Sequence, residues 1–433
     1  MVFQLRTLDA RLLERTVNEV VARHDVLRTA YVPAWSGASA ARQSQLTRFA
    51  RTQLFTCGMY VARVAADAQV RLEQLAVNGS ADVDNPDIDD LIDDWSIVPL
   101  DPGRAPITRA AVVSGAGNTH LLLLLLSHMV CDGWSVSIFW REIEDIYTAA
   151  LAGRAPRLQE VGMQHSQFAA EEHAAVDHGL FTDSVAYWSR QWAQLGPALV
   201  RHRELPCACH GASPLVPPAI RSERVALGAI IANALTQMCR TRNLTTFAVF
   251  RCAVAIVFHH LTSKGQVALW SNFLNRPSVS SQRMIGWCSN AHALMTDIGA
   301  ARTCDHLARQ IAAQMSQAHQ HQRLSLPALW QILGRCLEGG DTRIVCDVQG
   351  RFRAGGQGIM VPIGWARGRE WTDLDVRLHE TDAEVVVTYD SNRYDATGVA
   401  AMARAIHHTL AAMTADMDSP IDRTREAIDA VSA

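Results

Sequence analysis

No stretch of this chain approaches the ~18 consecutive apolar residues that a membrane-spanning helix needs, so no membrane partner is expected. Nor is there an excess of basic charge: 40 Lys and Arg stand against 43 Asp and Glu, for a formal charge of -3. That balance argues against nucleic acid as a partner. The N-terminal MVFQLRTLDARLLERTV brings its charges too early for a secretory leader and shows no small-residue cleavage site, which makes the cytoplasm the expected compartment. The ten cysteines lack paired spacing and read as reduced, mostly buried thiols. One group departs from that pattern. His202, Cys207, Cys209 and His210 are ligand types that suit zinc, but Cys-x-Cys lacks the two-residue gap of common zinc knuckles and Pro-rich sequence follows. A loop with incidental thiols is favoured, and no metal is expected.

What is present is enough for two cores. At 433 residues and 48% hydrophobic content the chain exceeds one ordinary domain and reads as two lobes. Phe3 to Leu5 reads as a first strand, and a helix opened by Leu8-Asp9 buries Leu12, Leu13, Val17, Val20 and Val21. Residues 33 to 80 are weakly patterned and read as partly helical. Asp82 to Asp94 is an acidic stretch without His or Cys, best read as a solvated helix face or loop. Ile107 to Val113 then turns through Ser114 to Asn118 into six leucines, a hairpin by turn chemistry in which Arg109 reads as a solvated edge residue.

The leucine run, Leu121 to Leu126, is too short and too continuous for an amphipathic helix and reads as a strand buried on both faces. Beyond it Val136, Phe139, Trp140, Ile143, Ile146 and Tyr147 recur at helical spacing. Between strand and helix lies Ser127-His128-Met129-Val130-Cys131-Asp132-Gly133, where a rigid scaffold would hold a reacting group. His128 has an unperturbed pKa near working pH and suits a base or positioning group. The bland alternative is a core histidine satisfied by backbone. Cys131 has nothing basic spaced to activate it and reads as packing.

His128-Met-Val-Cys-Asp132-Gly133 resembles the HHxxxDG signature of nonribosomal peptide synthetase condensation domains, a signature shared with a wider acyltransferase superfamily. Ser127 stands at the first His position. Other segments resemble the same family: Arg23 to Tyr31 its RHExLRTxF motif, Gln164 to Ala169 a degenerate YxDYAVW, Asn275-Arg276-Pro277 and Met284 to Asn290 its NRP and IGxFVNT segments, and His319 to Pro327 its HQDxPFE region. The resemblance implies an α/β (α+β) fold of two chloramphenicol-acetyltransferase-like lobes, residues 1–175 and 176–433, a V-shaped pseudo-dimer within one chain and hence a monomer. It also implies a helix-bearing segment ahead of the first strand, where this chain starts at or near that strand.

The family reading assigns His128 and Gly133 to catalysis. It gives Ser127 and Asp132 structural roles, with Arg276 as the ionic partner of Asp132, and places Trp134, Ser135 and Asn290 along a substrate tunnel. The Arg23 to Tyr31 motif reads as structural. The implied reaction is amide formation between a carrier-protein thioester donor and an amine acceptor. It needs no bound cofactor, and the substrates ride on the phosphopantetheine of partner carriers, supplied in trans or by neighbouring modules. Two alternatives stay open: ester formation with an alcohol acceptor, and a recruitment domain that has lost catalysis.

Overall fold

The computed structural model describes residues 2–33, 60–82, 85–209, 218–333, 343–350, 360–364 and 373–424. They divide into two compact units. The first holds the chain up to Leu180 together with Leu274–Ser289 and the strand Met360–Gly364; the second holds the rest. A single cut near residue 175 therefore misplaces two stretches of the second half, which return to the first unit.

In the first unit β1 (Val2–Leu5), β4 (Leu72–Ser80), β5 (Thr108–Ala116), β6 (His120–Leu126) and β11 (Met360–Gly364) form a sheet ordered β11-β1-β6-β5-β4. Only β4 and β5 run parallel. The leucines of β6 fill both faces, as the uninterrupted apolar run requires. Leu121 and Leu123 pack with Val113 against Ile88, Ile92 and Trp95, which are spaced three or four apart on the helix Asp87–Ser96. The acidic stretch is thus an amphipathic helix whose apolar stripe covers the sheet. The helices Ala10–Arg23 and Gly133–Leu151 pack on each other, and the stack of Phe3 on Trp140, with centroids 4.2 Å apart, ties the second of them to β1.

Two expectations need correction here. Within 33 to 80 the described residues hold no helix but two strands joined by a loop, β3 (Tyr60–Val64), paired with β2 (Thr29–Pro33), and β4. Residues 34–59 lie outside the described residues. Arg109 is not a solvated edge residue, because β5 is an interior strand. Its guanidinium clasps Glu73 at 2.9 and 3.0 Å and lies over the Trp95 ring. That hydrogen bonding holds the Glu73 carboxyl below its usual range.

The second unit has a six-stranded sheet ordered β7-β13-β12-β10-β8-β9, built from β7 (Ile220–Ala226), β8 (Gln266–Phe273), β9 (Asn290–Asp297), β10 (Ile344–Gln349), β12 (Leu374–His379) and β13 (Glu384–Asp390). The central strands β12, β10 and β8 are parallel. The apolar helix Thr246–Thr262 is buried without interruption from Ala248 to Phe258 and packs against the helices Cys304–Gln320 and Ala396–Ala415. Its one charged core residue, Arg251, donates to Ser271 Oγ and to the carbonyls of Leu269 and Leu294, pinning β8 and β9 to the helix. Among the described residues no single helix is long and apolar enough to cross a membrane.

Candidate active site

The loop after β6 is a tight turn. Val130 N donates to Ser127 O at 3.0 Å, which puts His128 and Met129 at the two corner positions. Ser127 closes the turn with its side chain too, since its Oγ accepts from Met129 N at 3.3 Å. His128, at the corner, is exposed. Its ring meets the Trp287 indole edge-on, with centroids 4.9 Å apart and planes at 67°. Burial pushes the neighbouring Cys131 thiol up to about 12, with the Asp132 charge adding to it. A thiol held neutral in that way is packing rather than a nucleophile.

Asp132 is the hub below the turn. As N-cap of the helix Gly133–Leu151 its Oδ1 accepts from Ser135 N at 2.9 Å and Ser135 Oγ at 2.7 Å. Its Oδ2 accepts from Cys288 N and Ser289 N at 3.1 and 3.2 Å. Arg276 Nη2 approaches both oxygens, at 3.0 and 3.1 Å. The other guanidinium bonds go to Ser135 Oγ and to the carbonyls of Gly286, Ser281 and Met284. The pair is almost wholly buried, and so many hydrogen bonds are what a buried ion pair needs to offset its desolvation. Asn275, with φ at 49°, adopts the left-handed turn that precedes Arg276.

The remaining sequence-predicted residues are placed as follows. Gly133 opens the helix, and a Cβ built on it would meet no described atom within 4 Å. Trp134 is 42% exposed and donates its indole N–H to Gln282 O at 2.8 Å. Ser135 is fully buried, and its Oγ is engaged with Asp132, Gly286 and Arg276. Its place is in the hub rather than along a surface open to substrate. Asn290 lies in the second unit at the start of β9 and donates to Gln322 O at 2.6 Å. In the zinc-like group His202 Nε2 contacts Arg393 O at 2.8 Å, and burial pushes the Cys207 thiol up to about 11; His210 lies outside the described residues.

The Arg23 to Tyr31 motif supports the scaffold. Arg23 and His24 both hydrogen-bond Glu142 of the long helix, at 3.0 and 3.1 Å. Burial pushes the Glu142 carboxyl up, but those bonds outweigh it and hold it below its usual range. Asp25 accepts from His165 N and Ser166 N, capping the helix His165–Asp177.

Two residues of this neighbourhood were not singled out by sequence reasoning. His165 Nε2 meets Trp287 O at 3.3 Å, and its ring lies so close to Gly286 that a Cβ there would fall 2.2 Å from His165 Cδ2. Burial holds that imidazole below its usual pKa range. The signal available was the glycine of Ile285-Gly286-Trp287, but nothing in the sequence said which ring it makes room for.

The chain matches the family model described as Condensation domain over residues 1–430. It is 24% identical over 441 residues to chondramide synthase cmdD from Chondromyces crocatus, covering 94% of this chain and 10% of that protein. The chain therefore spans about a tenth of that relative's length. Among solved structures it is similar to the first condensation domain of the calcium-dependent antibiotic synthetase in complex with substrate analogue 2a. The TM-score there is 0.77 at 19% identity, over 98% of this chain and 92% of that one. It is also similar to the X-domain in the complex of the X-domain and OxyB from teicoplanin biosynthesis, with a TM-score of 0.74 at 18% identity over 97% and 89%. The chain belongs to the condensation domain family of nonribosomal peptide synthetases, and its two units correspond to the two chloramphenicol-acetyltransferase-like lobes of that fold.

Proposed function

We propose that this chain is an amide-forming acyltransferase. It joins an acyl or aminoacyl thioester on one carrier protein to the amine of an acceptor on another, with both substrates held on phosphopantetheine and no further cofactor. The observation that carries the proposal is the exposed His128, held at the corner of a turn whose floor is the Asp132–Arg276 pair.

The acceptor amine attacks the thioester carbon, the C–N bond forms and the C–S bond breaks. The proton lost by nitrogen goes to His128 and then to the departing thiolate. A positioned imidazole supplies about 10²–10⁴-fold in such a step. Ser135 N–H is already taken by Asp132, so the developing oxyanion is assigned to the Gly133 and Trp134 N–H groups of the first helical turn. The open space in front of Gly133 is where the reacting carbonyl sits, with Trp134 beside it. Asp132 and Arg276 act by holding the loop.

Loaded donor and acceptor carriers supplied together should yield an acceptor-bound dipeptidyl thioester, detected by intact-protein mass spectrometry. An acceptor pool offering an amine and an alcohol in competition separates amide from ester formation. Exclusive ester product would overturn the amide assignment. Ser127 in place of the first motif His supports a second reading, a recruitment domain. Binding of a carrier or of a tailoring enzyme with no turnover of any loaded pair would favour it.

A further inference from the structure

The imidazole at the corner of the turn needs a fixed orientation to work as a base. Ser127 spends its hydroxyl on Met129 N and its carbonyl on Val130 N, both inside the turn. From outside the loop the Trp287 indole meets the His128 ring edge-on. We propose that Trp287 is a positioning residue for His128, with His165 as its anchor. The proposal rests on the reading of His128 as the catalytic base.

The geometry for this is built on several bonds. Residues 286 to 289 are fastened to the same hub that caps the helix after His128. Gly286 N donates to Ser135 Oγ at 3.0 Å, Gly286 O lies 2.7 Å from that oxygen and accepts from Arg276 Nη2 at 3.0 Å, and Cys288 N and Ser289 N donate to Asp132. Between these fixed points the Trp287 carbonyl meets His165 Nε2. A carbonyl only accepts, so Nε2 carries the proton and the His165 tautomer is set. His165 is itself held by its backbone N–H on Asp25 and by its ring against Gly286. The two rings that meet at 67° therefore hang from one bond network, His128 from its turn and Trp287 from the Gly286–Ser289 segment. Edge-to-face pairing of that kind is directional, so the indole favours one orientation of the His128 ring.

The test uses the whole chain with labelled histidine. His128 ring signals are assigned by their loss in His128→Asn and compared in wild type, Trp287→Phe, Trp287→Leu and His165→Leu. The proposal predicts that the indole ring current displaces the His128 ring-proton shifts from their random-coil values. The displacement is reduced in Trp287→Phe, collapses in Trp287→Leu and weakens in His165→Leu. In the carrier assay kcat falls about tenfold in Trp287→Leu, with the acceptor KM unchanged and partial recovery in Trp287→Phe. A folded Trp287→Leu chain whose His128 shifts equal those of wild type overturns the proposal, as do random-coil shifts in the wild type. If Trp287→Leu does not fold, the Phe variant decides by the same shift criterion. Absence of turnover in every variant, wild type included, would count against the amide-forming reading while leaving the shift comparison to decide the positioning role.

Discussion

Two glycines flank the site, and they are glycines for different reasons. At Gly286 a side chain would collide with the His165 ring, so Gly286→Ala should cost about 1–3 kcal/mol of stability. Much of that loss should be recovered in the double variant Gly286→Ala/His165→Ala, measured by urea unfolding. At Gly133 a methyl group meets nothing, so Gly133→Ala should leave stability unchanged or raise it by up to ~1 kcal/mol while lowering turnover, because the methyl enters the space assigned to the carbonyl. A Gly133→Ala enzyme of undiminished rate would remove that space from the reaction. Asp132→Ala leaves Arg276 buried without its counter-ion and three backbone N–H groups without an acceptor. It should cost about 3–5 kcal/mol and lose activity along with order. These roles differ in legibility. The Asp132–Arg276 pairing was named from motif resemblance alone, whereas the burial of Ser135 was not, because a serine in a first helical turn reads equally as lining or as latch until its partners across the chain are known.

At the scale of elements the clearest device is the buried guanidinium in the helix Thr246–Thr262. Arg251 is paired with a hydroxyl and two strand carbonyls, and burial pushes its pKa down to about 10. Arg251→Met keeps the volume but strips donors from two buried carbonyls, which should cost about 1–3 kcal/mol for each group left unsatisfied, read as a lower thermal midpoint. An unchanged midpoint would show that the strands hold without it. The strands and helices with strong periodicity were readable in advance: the leucine strand, the helix Ala10–Arg23 and the helix Gly133–Leu151. β3 and β4 were not. Their alternation is weak, and β4 becomes a strand because β5 offers it a parallel ladder, a tertiary fact that local patterning does not contain.

For the molecule as a whole the buried titratable groups set how stability responds to acid. Burial pushes His292 down to about 3 from 6.5, against the hydrogen bond to Leu324 O. Below pH 6.5 the unfolded chain therefore takes up a proton that the folded unit refuses. Stability is complete above 6.5 and falls as pH drops toward 3. Glu142, held below its usual range, has the parallel behaviour of a carboxylate: its contribution is present above 4.5 and lost as pH falls through the folded value. Urea midpoints should therefore decline steadily from pH 7 to 4, and His292→Phe should flatten the upper part of that slope. A midpoint independent of pH across this range would contradict both assignments. The division of the chain was only partly legible at this scale. That there are two lobes follows from length, but the return of 274–289 to the first unit follows from the Arg276 bonds to Asp132, formed across 144 positions.

The central claim is that His128 moves the proton in the acyl transfer. The most direct test is the single-turnover rate of His128→Ala beside wild type, with both carriers loaded in advance and the fold checked by circular dichroism. The variant should be about 10²–10⁴-fold slower with carrier affinity retained. Equal rates from a folded variant would contradict it.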